Sequence, residues 1–202
     1  MTEDDARGWC AAHASTTGMQ LLDRFAALVV DENQRQNLIS PATCDLIWSR
    51  HIADSAQLLN HMPAAARSWL DIGSGPGFPG IVIAILRDLP VTLVEPRTRR
   101  VQFMVDAAER LGLRHVAVQR AKAEGITGTF DVISARAVAS IPSLLAMTGH
   151  LRDAKTRLIL PRGRNGAREV AELPATQRRM FHVEQSVTDP DSVIVIADGV
   201  RA

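Results

Sequence analysis

"SWLDIGSGPGFPGIVIAILRD" (residues 68–88) runs from a short apolar segment through a turn dense in Gly and Pro into a helical segment. Gly73, Gly75, Gly77 and Gly80 share this stretch with Pro76 and Pro79. In a doubly wound sheet, ligands sit at the carboxyl ends of the strands, so the first strand-to-helix turn is the first place to look for a site. A dinucleotide turn reads G-x-G-x-x-G and holds pyrophosphate on free N–H groups at a helix N-terminus. This turn reads G-x-G-x-G-x-x-G instead, and each proline removes a donor. Its glycines suit close backbone approach to a ligand without phosphates, with Gly73, Gly75 and Gly77 nearest to it. Pro79 fits the first turn of the helix that follows. The alternative is that the glycines only let the helix pack tightly on the strand.

Working outward, the hydrophobic period tells the two ends of the chain apart. Met19 to about Asn33 carries Leu21, Leu22, Phe25, Leu28 and Val29 at helical spacing, which predicts an amphipathic helix. "TCDLIWSRHIADSAQLLNHM" predicts a second, with Ile47, His51, Ser55 and Leu58 on one stripe. Short β-rich runs follow at 68–72, 91–95, 115–119, 130–135 and 157–161, with helical runs at 80–88, 97–111 and 138–150 between them. Apolar strands alternating with helices predict a parallel sheet covered on both faces. "RRMFHVEQS" and "SVIVIADG" have no helix between them and predict a C-terminal antiparallel hairpin. Residues 1–18, with three acids followed by small polar residues, are expected to be flexible. The remainder, 19–202, is expected to be one domain: a helical extension over 19–62 and an α/β Rossmann-like core over 66–202.

Composition narrows the function classes. With 202 residues, 46% hydrophobic and 22% charged, the chain has the balance of a water-soluble globular protein. No apolar run approaches a membrane span, and the acidic start lacks the pattern of a secretory signal. Cys10 and Cys44 supply neither a disulfide framework nor a metal-ligand spacing. The expectation is a cytoplasmic monomer without metal. Net charge is only +1, yet Arg97 to Arg164 holds 13 Lys and Arg against 5 Asp and Glu. That excess suits a localised polyanion-binding face, or else charges that scatter and cancel in the fold.

Downstream of the glycine turn, Glu95 ends the second strand run 22 residues past Gly73, where an acid can accept from both ribose hydroxyls of an adenosine ligand. Ala123 and Glu124, after the third, are placed to meet an adenine. An adenosine ligand without pyrophosphate points to S-adenosylmethionine, whose cationic end Asp71 would favour. Arg136, at the fourth strand end, needs an anion beside it: the methionine carboxylate or an RNA phosphate, bound in bidentate geometry. His51 and Asp54 share a helix face and are read as an ion pair.

"NLIS" (37–40), "RHIADS" (50–55), "LDIGSGPGFPGIVIAI" (70–85), "FDVISARAV" (130–138) and "LPRG" (160–163) together resemble the RsmG (GidB) family of bacterial 16S rRNA guanine-N7 methyltransferases. The resemblance runs from about residue 19 onward. It implies a class I methyltransferase fold, with a seven-stranded mostly parallel sheet in the order 3-2-1-4-5-7-6. It also implies S-adenosylmethionine contacts at Gly73, Phe78, Ala123, Glu124 and Arg136, with 16S rRNA or a small-subunit precursor as substrate. Where the family usually has Lys-Lys or Lys-Arg and then Lys-Gly, this chain has Arg99-Arg100 and Arg162-Gly163; with 21 arginines to two lysines, compositional bias explains both. Arg99, Arg100, Arg162 and Arg164 are the candidates for phosphate contacts. Guanine N7 needs no general base, and the stretch after the fourth strand is "SARA", without an NPPY-type motif for amine methylation. The competing expectations are a nicotinamide-dependent oxidoreductase and an RNA-binding assembly factor without turnover.

Overall fold

The structure, a computed structural model, describes residues 1–200. Its centre is a seven-stranded sheet built from β1 (Trp69–Ile72), β2 (Val91–Val94), β3 (Val116–Gln119), β4 (Val132–Ala135), β5 (Arg157–Arg162), β6 (Phe181–Gln185) and β7 (Val193–Asp198). The strand order is β3-β2-β1-β4-β5-β7-β6. All pairings are parallel except those of β7, which runs antiparallel to both β5 and β6. This is the Rossmann-like sheet and C-terminal hairpin expected from the sequence. Alternation along the strands feeds two cores. Trp69, Val91, Leu93 and Val132 join one, while Leu70, Ile72, Val94, Ile133 and Ala135 join the other. The two edge strands depart from an apolar run: β3 has Ala117 and Gln119 exposed beside half-buried Val116 and Val118, and β6 has His182, Glu184 and Gln185 exposed.

The helices are α1 (Glu3–His13), α2 (Thr16–Asn33), α3 (Ala53–Ala56), α4 (Gly80–Leu86), α5 (Thr98–Leu111), α6 (Ile141–Thr148), α7 (Gly166–Ala171) and α8 (Ala175–Arg178). Two expectations about the N-terminal part are corrected. Residues 1–18 are not a loose tail: they form α1 and the first turn of α2. Thr2 and Asp5 close a capping box, the three acids lie in the first turn where the helix dipole favours them, and Ala6 and Cys10, four apart, are buried. The Glu3 carboxylate accepts from the backbone N–H groups of Trp48 and Ser49 at 2.9 and 2.7 Å. Arg7 pairs with Asp23 and lies over the Trp48 ring, 4.6 Å from its centroid.

The second correction concerns the helix expected over 43–62. The chain instead passes through a 3-10 segment (Pro41–Leu46), a π turn (Trp48–Ile52), α3 and another 3-10 segment (Gln57–His61). Ser49 and Ser55 bond back to the carbonyls of Leu46 and His51, a competition that bends helices. Wide π turns are frequent at functional sites, and this one carries Arg50 and His51, with Asp54 just beyond it.

Candidate active site

Strand register assembles the site. Ile72 pairs with Val94 on one side and with Ala135 on the other. The next residue of each strand, Gly73, Glu95 and Arg136, therefore stands level at the carboxyl edge where the strand order reverses. A cleft of about 730 Å³ opens there, lined by the glycine turn, Glu95, the π turn, the β4–α6 loop and the loop between β6 and β7.

The turn spends every N–H it has. Gly73 and Ser74 donate to the Val94 carbonyl, Gly77 and Phe78 to that of Ser74, and Ile81 to that of Gly77. Gly75 donates to Glu95 at 3.1 Å and Gly80 to Asp71 at 3.2 Å. Pro76 and Pro79 have none to offer, so the turn holds no free donor for a pyrophosphate. Gly73, Gly75 and Gly77 take φ of 66°, 57° and 102°, which L side chains rarely adopt. Gly80 is the packing glycine: a Cβ there would meet Leu93 Cδ2 at 2.1 Å. The packing reading of the glycines holds at Gly80. Gly73 and Gly75 line the cleft, whereas Gly77 does not; its Cβ would run into Ile81, so it serves the turn's own packing.

The acids divide as well. Glu95 lines the cleft while accepting from the N–H groups of Gly75 and Arg97. Asp71 lies beneath it, fully buried, and takes bonds from Gly80 N–H and Ser134 Oγ, the latter at 2.7 Å. It braces the turn from below, and its expected contact with a ligand's cationic end is corrected on that ground. Ala123 and Glu124 sit in a short 3-10 turn after β3, the first buried and the second exposed; neither lines the cleft.

Arg136 is held in the cleft by groups from the π turn and its neighbours. Its guanidinium donates to the Arg50 carbonyl at 3.2 Å, to His51 Nδ1 at 3.2 Å and to Asp54 Oδ2 at 3.4 Å. It also lies 5.4 Å from the Phe78 ring centroid, on which His51 stacks at 5.1 Å. The expected His51–Asp54 ion pair is replaced: Asp54 pairs with Arg136, and His51 accepts from it. Since Nδ1 accepts, Nε2–H donates to Thr43 Oγ1 at 3.0 Å, which makes His51 the neutral Nε2–H tautomer. Asp54 Oδ1 receives Thr188 Oγ1 and Gln57 Nε2, both at 3.0 Å, tying the π turn's wall to the β6–β7 loop.

The four arginines proposed for phosphates do not converge. Arg100 lines the cleft, 3.9 Å from Glu95. Arg99 points to the α2 side, donating to the Arg35 carbonyl. Arg164 is exposed and paired with Asp191. Arg162 is corrected outright: its side chain is only 6% exposed, and its Nη atoms donate to the carbonyls of Ala135, Pro161 and Ala139. With Arg152 also buried and Arg157 paired to Asp198, the positive stretch is scattered rather than gathered on one face. Sequence reasoning passed over Arg50 and Arg97, which line the cleft with exposed side chains. Arg97 was legible as part of the basic run after β2; the partner of Arg50, Asp189, is 139 residues away and gave no signal.

The family model described as rRNA small subunit methyltransferase G (GidB) matches residues 18–190. Similar over nearly the whole chain is the Ribosomal RNA small subunit methyltransferase G of Sphingopyxis alaskensis: 44% identical, covering 98% of this chain and 86% of that protein. That of Erythrobacter litoralis is 39% identical, covering 98% and 97%. The chain belongs to this family. Solved structures under 25% identical show the same fold. Ribosomal protein L11 methylase from Lactobacillus delbrueckii subsp. bulgaricus superposes with a TM-score of 0.60 at 15% identity, over 72% of this chain and 77% of that one. A mutant of MtNAS in complex with S-adenosylmethionine gives 0.55 at 18%, over 90% and 73%.

Buried Asp71 and half-buried His51 make the stability of this small subunit methyltransferase G family member depend on pH in opposite senses. Burial pushes the Asp71 carboxyl up from 3.8 to about 6, although Ser134, Gly80 and Arg136 favour its ionised form. The folded state then binds the proton more tightly than the unfolded one, so this contribution is full below 3.8 and is lost as pH rises through about 6. Burial, helped by Arg136 and Arg50, pushes His51 down from 6.5 to about 3. Here the unfolded state binds more protons, so stability rises with pH between about 3 and 6.5. The two trends oppose each other between 3.8 and 6. In urea titrations across that window, Asp71→Asn is expected to make stability climb more steeply with pH than in the parent. His51→Gln is expected to make it climb less steeply.

Proposed function

We propose that the protein transfers a methyl group from S-adenosylmethionine to N7 of a guanine in 16S rRNA. The observation that carries this reading is the glycine turn whose N–H groups are all consumed internally, with Glu95 and Arg136 level beside it. Such a site accepts an adenosine ligand that bears no phosphates, and its turn keeps no free N–H for the pyrophosphate of a dinucleotide. The cleft volume of about 730 Å³ is in the range of sites that enclose a ligand of this size. The names of the relatives supply the substrate, ribosomal RNA of the small subunit.

S-adenosylmethionine, when bound, would supply an electrophilic methyl to the lone pair of guanine N7 by in-line displacement without a general base; the sulfur–methyl bond would break to leave a neutral thioether, and the positive charge would pass to the guanine. Gly73 and Gly75 let the backbone approach, the Glu95 carboxylate accepts from ribose hydroxyls, and Arg136 holds the carboxylate end. Asp71 and Phe78 act from beneath, by fixing the turn. Neutral His51, stacked on Phe78, contributes no competing charge. Catalysis then rests on orientation and exclusion of water, effects worth up to roughly 7–11 kcal/mol in favourable intramolecular cases. Arg50, Arg97 and Arg100 surround the mouth and are the residues here assigned to RNA phosphates. With rRNA as substrate, the protein acts in the cytoplasm, as a monomer; no helix among the described residues is long and apolar enough to cross a membrane.

The test is incubation with labelled S-adenosylmethionine and under-methylated small ribosomal subunits, then mass-spectrometric mapping of the modified nucleotide. Label on guanine N7 of 16S rRNA is expected. Label on another base atom overturns the N7 assignment, and cofactor binding without any label in rRNA favours an assembly factor.

A further inference from the structure

Arg162 is an arginine at the cleft that has no free Nη group to offer a ligand. Its Nη1 donates to the carbonyls of Ala135 and Pro161, both at 3.3 Å, and its Nη2 to that of Ala139 at 3.1 Å. Ala135 and Ala139 bracket the loop that leaves β4, and between them lie Arg136, Ala137 and Val138. Ala137 is the non-glycine residue with positive φ among those described, at 55°. An alanine in that region is strained and persists only where its surroundings hold it. Val138, next to it, presses on the glycine turn, its Cγ2 lying 2.5 Å from where a Cβ on Gly73 would be.

The niche around Arg162 is built for it. A Cβ on Gly166 would lie 2.5 Å from Arg162 Cβ, so glycine at the start of α7 makes the room. Three residues on, Glu169 Oε2 lies 3.9 Å from Arg162 Nε and also accepts from the N–H of Ile141, at the start of α6. Nε itself is buried without a hydrogen-bond partner. With both hydrogens of Nη1 and one of Nη2 on the three carbonyls, the guanidinium meets a phosphate through Nη1 only by releasing the loop.

We infer that Arg162 is a positioning residue, a clamp from β5 that holds the β4–α6 loop in the shape that aims Arg136 into the cleft. The consequence for the cofactor rests on the reading that Arg136 holds the methionine carboxylate; the clamp itself does not. A lysine presents its donors from one nitrogen and can hold one or two of the carbonyls. Glutamine keeps a polar end but is too short to span the loop.

Arg162→Gln is to be compared with the parent by hydrogen exchange without cofactor, by calorimetry with S-adenosylmethionine and by the salt dependence of 16S rRNA binding. Exchange at the amide of Ile141, which ends the loop on Glu169, is expected to speed up about tenfold, and the cofactor Kd to rise about tenfold. The salt slope should stay unchanged. Arg162→Lys should return both quantities to within about threefold. Adding Ala137→Gly to Arg162→Gln should recover part of the cofactor affinity, because glycine takes a positive φ without being held. Unchanged protection at Ile141 overturns the clamp. So does a salt slope reduced by about one with cofactor affinity intact, the signature of a lost phosphate contact. If exchange responds while neither parent nor variant binds S-adenosylmethionine, the clamp stands and the cofactor reading fails. Should Arg162→Gln not fold, Glu169→Gln, which loosens the clamp from its outer side, is read for faster exchange around 139–141; unchanged exchange there overturns the clamp equally.

Discussion

Gly73→Val is expected to raise the cofactor Kd by more than about a hundredfold, beyond the range in which calorimetry with S-adenosylmethionine gives a signal. Gly73 has φ of 66°, a region that costs an L residue about 1–2 kcal/mol. Its Cβ would lie 2.5 Å from Val138 Cγ2, so either the turn or the β4–α6 loop must move. Overpacking of that kind costs about 1–3 kcal/mol. The turn sits between Glu95 and Arg136, so its displacement separates the groups that would hold the two ends of the cofactor. The same substitution is expected to lower stability by about 2–5 kcal/mol, which a domain of ordinary stability survives with a Tm lower by about 5–15 °C. Scanning calorimetry checks that the protein is still folded. Unchanged cofactor affinity in the folded variant would mean that the site lies elsewhere.

Arg136→Ala is expected to reduce methyl incorporation into rRNA by about 10²–10³-fold, the range found when one preorganised donor is removed from an active site. It takes away three hydrogen bonds and the contact with Phe78 at once. Asp54 is left partly buried, with Thr188 and Gln57 as its remaining partners. Arg136→Lys should rescue little, since one ammonium cannot reach the Arg50 carbonyl, His51 and Asp54 in the same planar geometry. A spectroscopic readout separates this role from simple loss of stability. Because Arg136 helps to push His51 down, NMR titration of His51 in Arg136→Ala should show its transition moving up toward 6.5. Full turnover with Ala at 136 would remove Arg136 from the site.

Much of the fold was legible because its signals are local. The change from helical to two-residue period marks where the sheet begins, and the missing helix between the last two apolar runs marks the hairpin. Helix α1 was missed because its cohesion comes from Ala6, Cys10 and Glu3, small or polar residues whose partners lie on other elements. The π turn was missed because its apolar spacing still mimics a regular helix. At the site, the turn's disinterest in phosphates could be read from two prolines and the glycine spacing. Arg162 was misread because a lone arginine at a strand end looks the same whether its guanidinium faces water or three carbonyls.

The identity of the strands, the glycine turn between the first strand and its helix and the place of Glu95 follow from the residues in chain order, since each depends on neighbours within about two dozen positions, whereas the strand order came with the family resemblance and joins strands far apart in the chain. Packing alone decided which donors are already spent. The Asp71–Gly80 bond, the grip of Asp54 and His51 on Arg136, and the enclosure of Arg162 are set by groups brought together from distances of 9 to 85 residues along the chain. A buried polar atom must find a partner, and which partner it finds is a property of the folded neighbourhood.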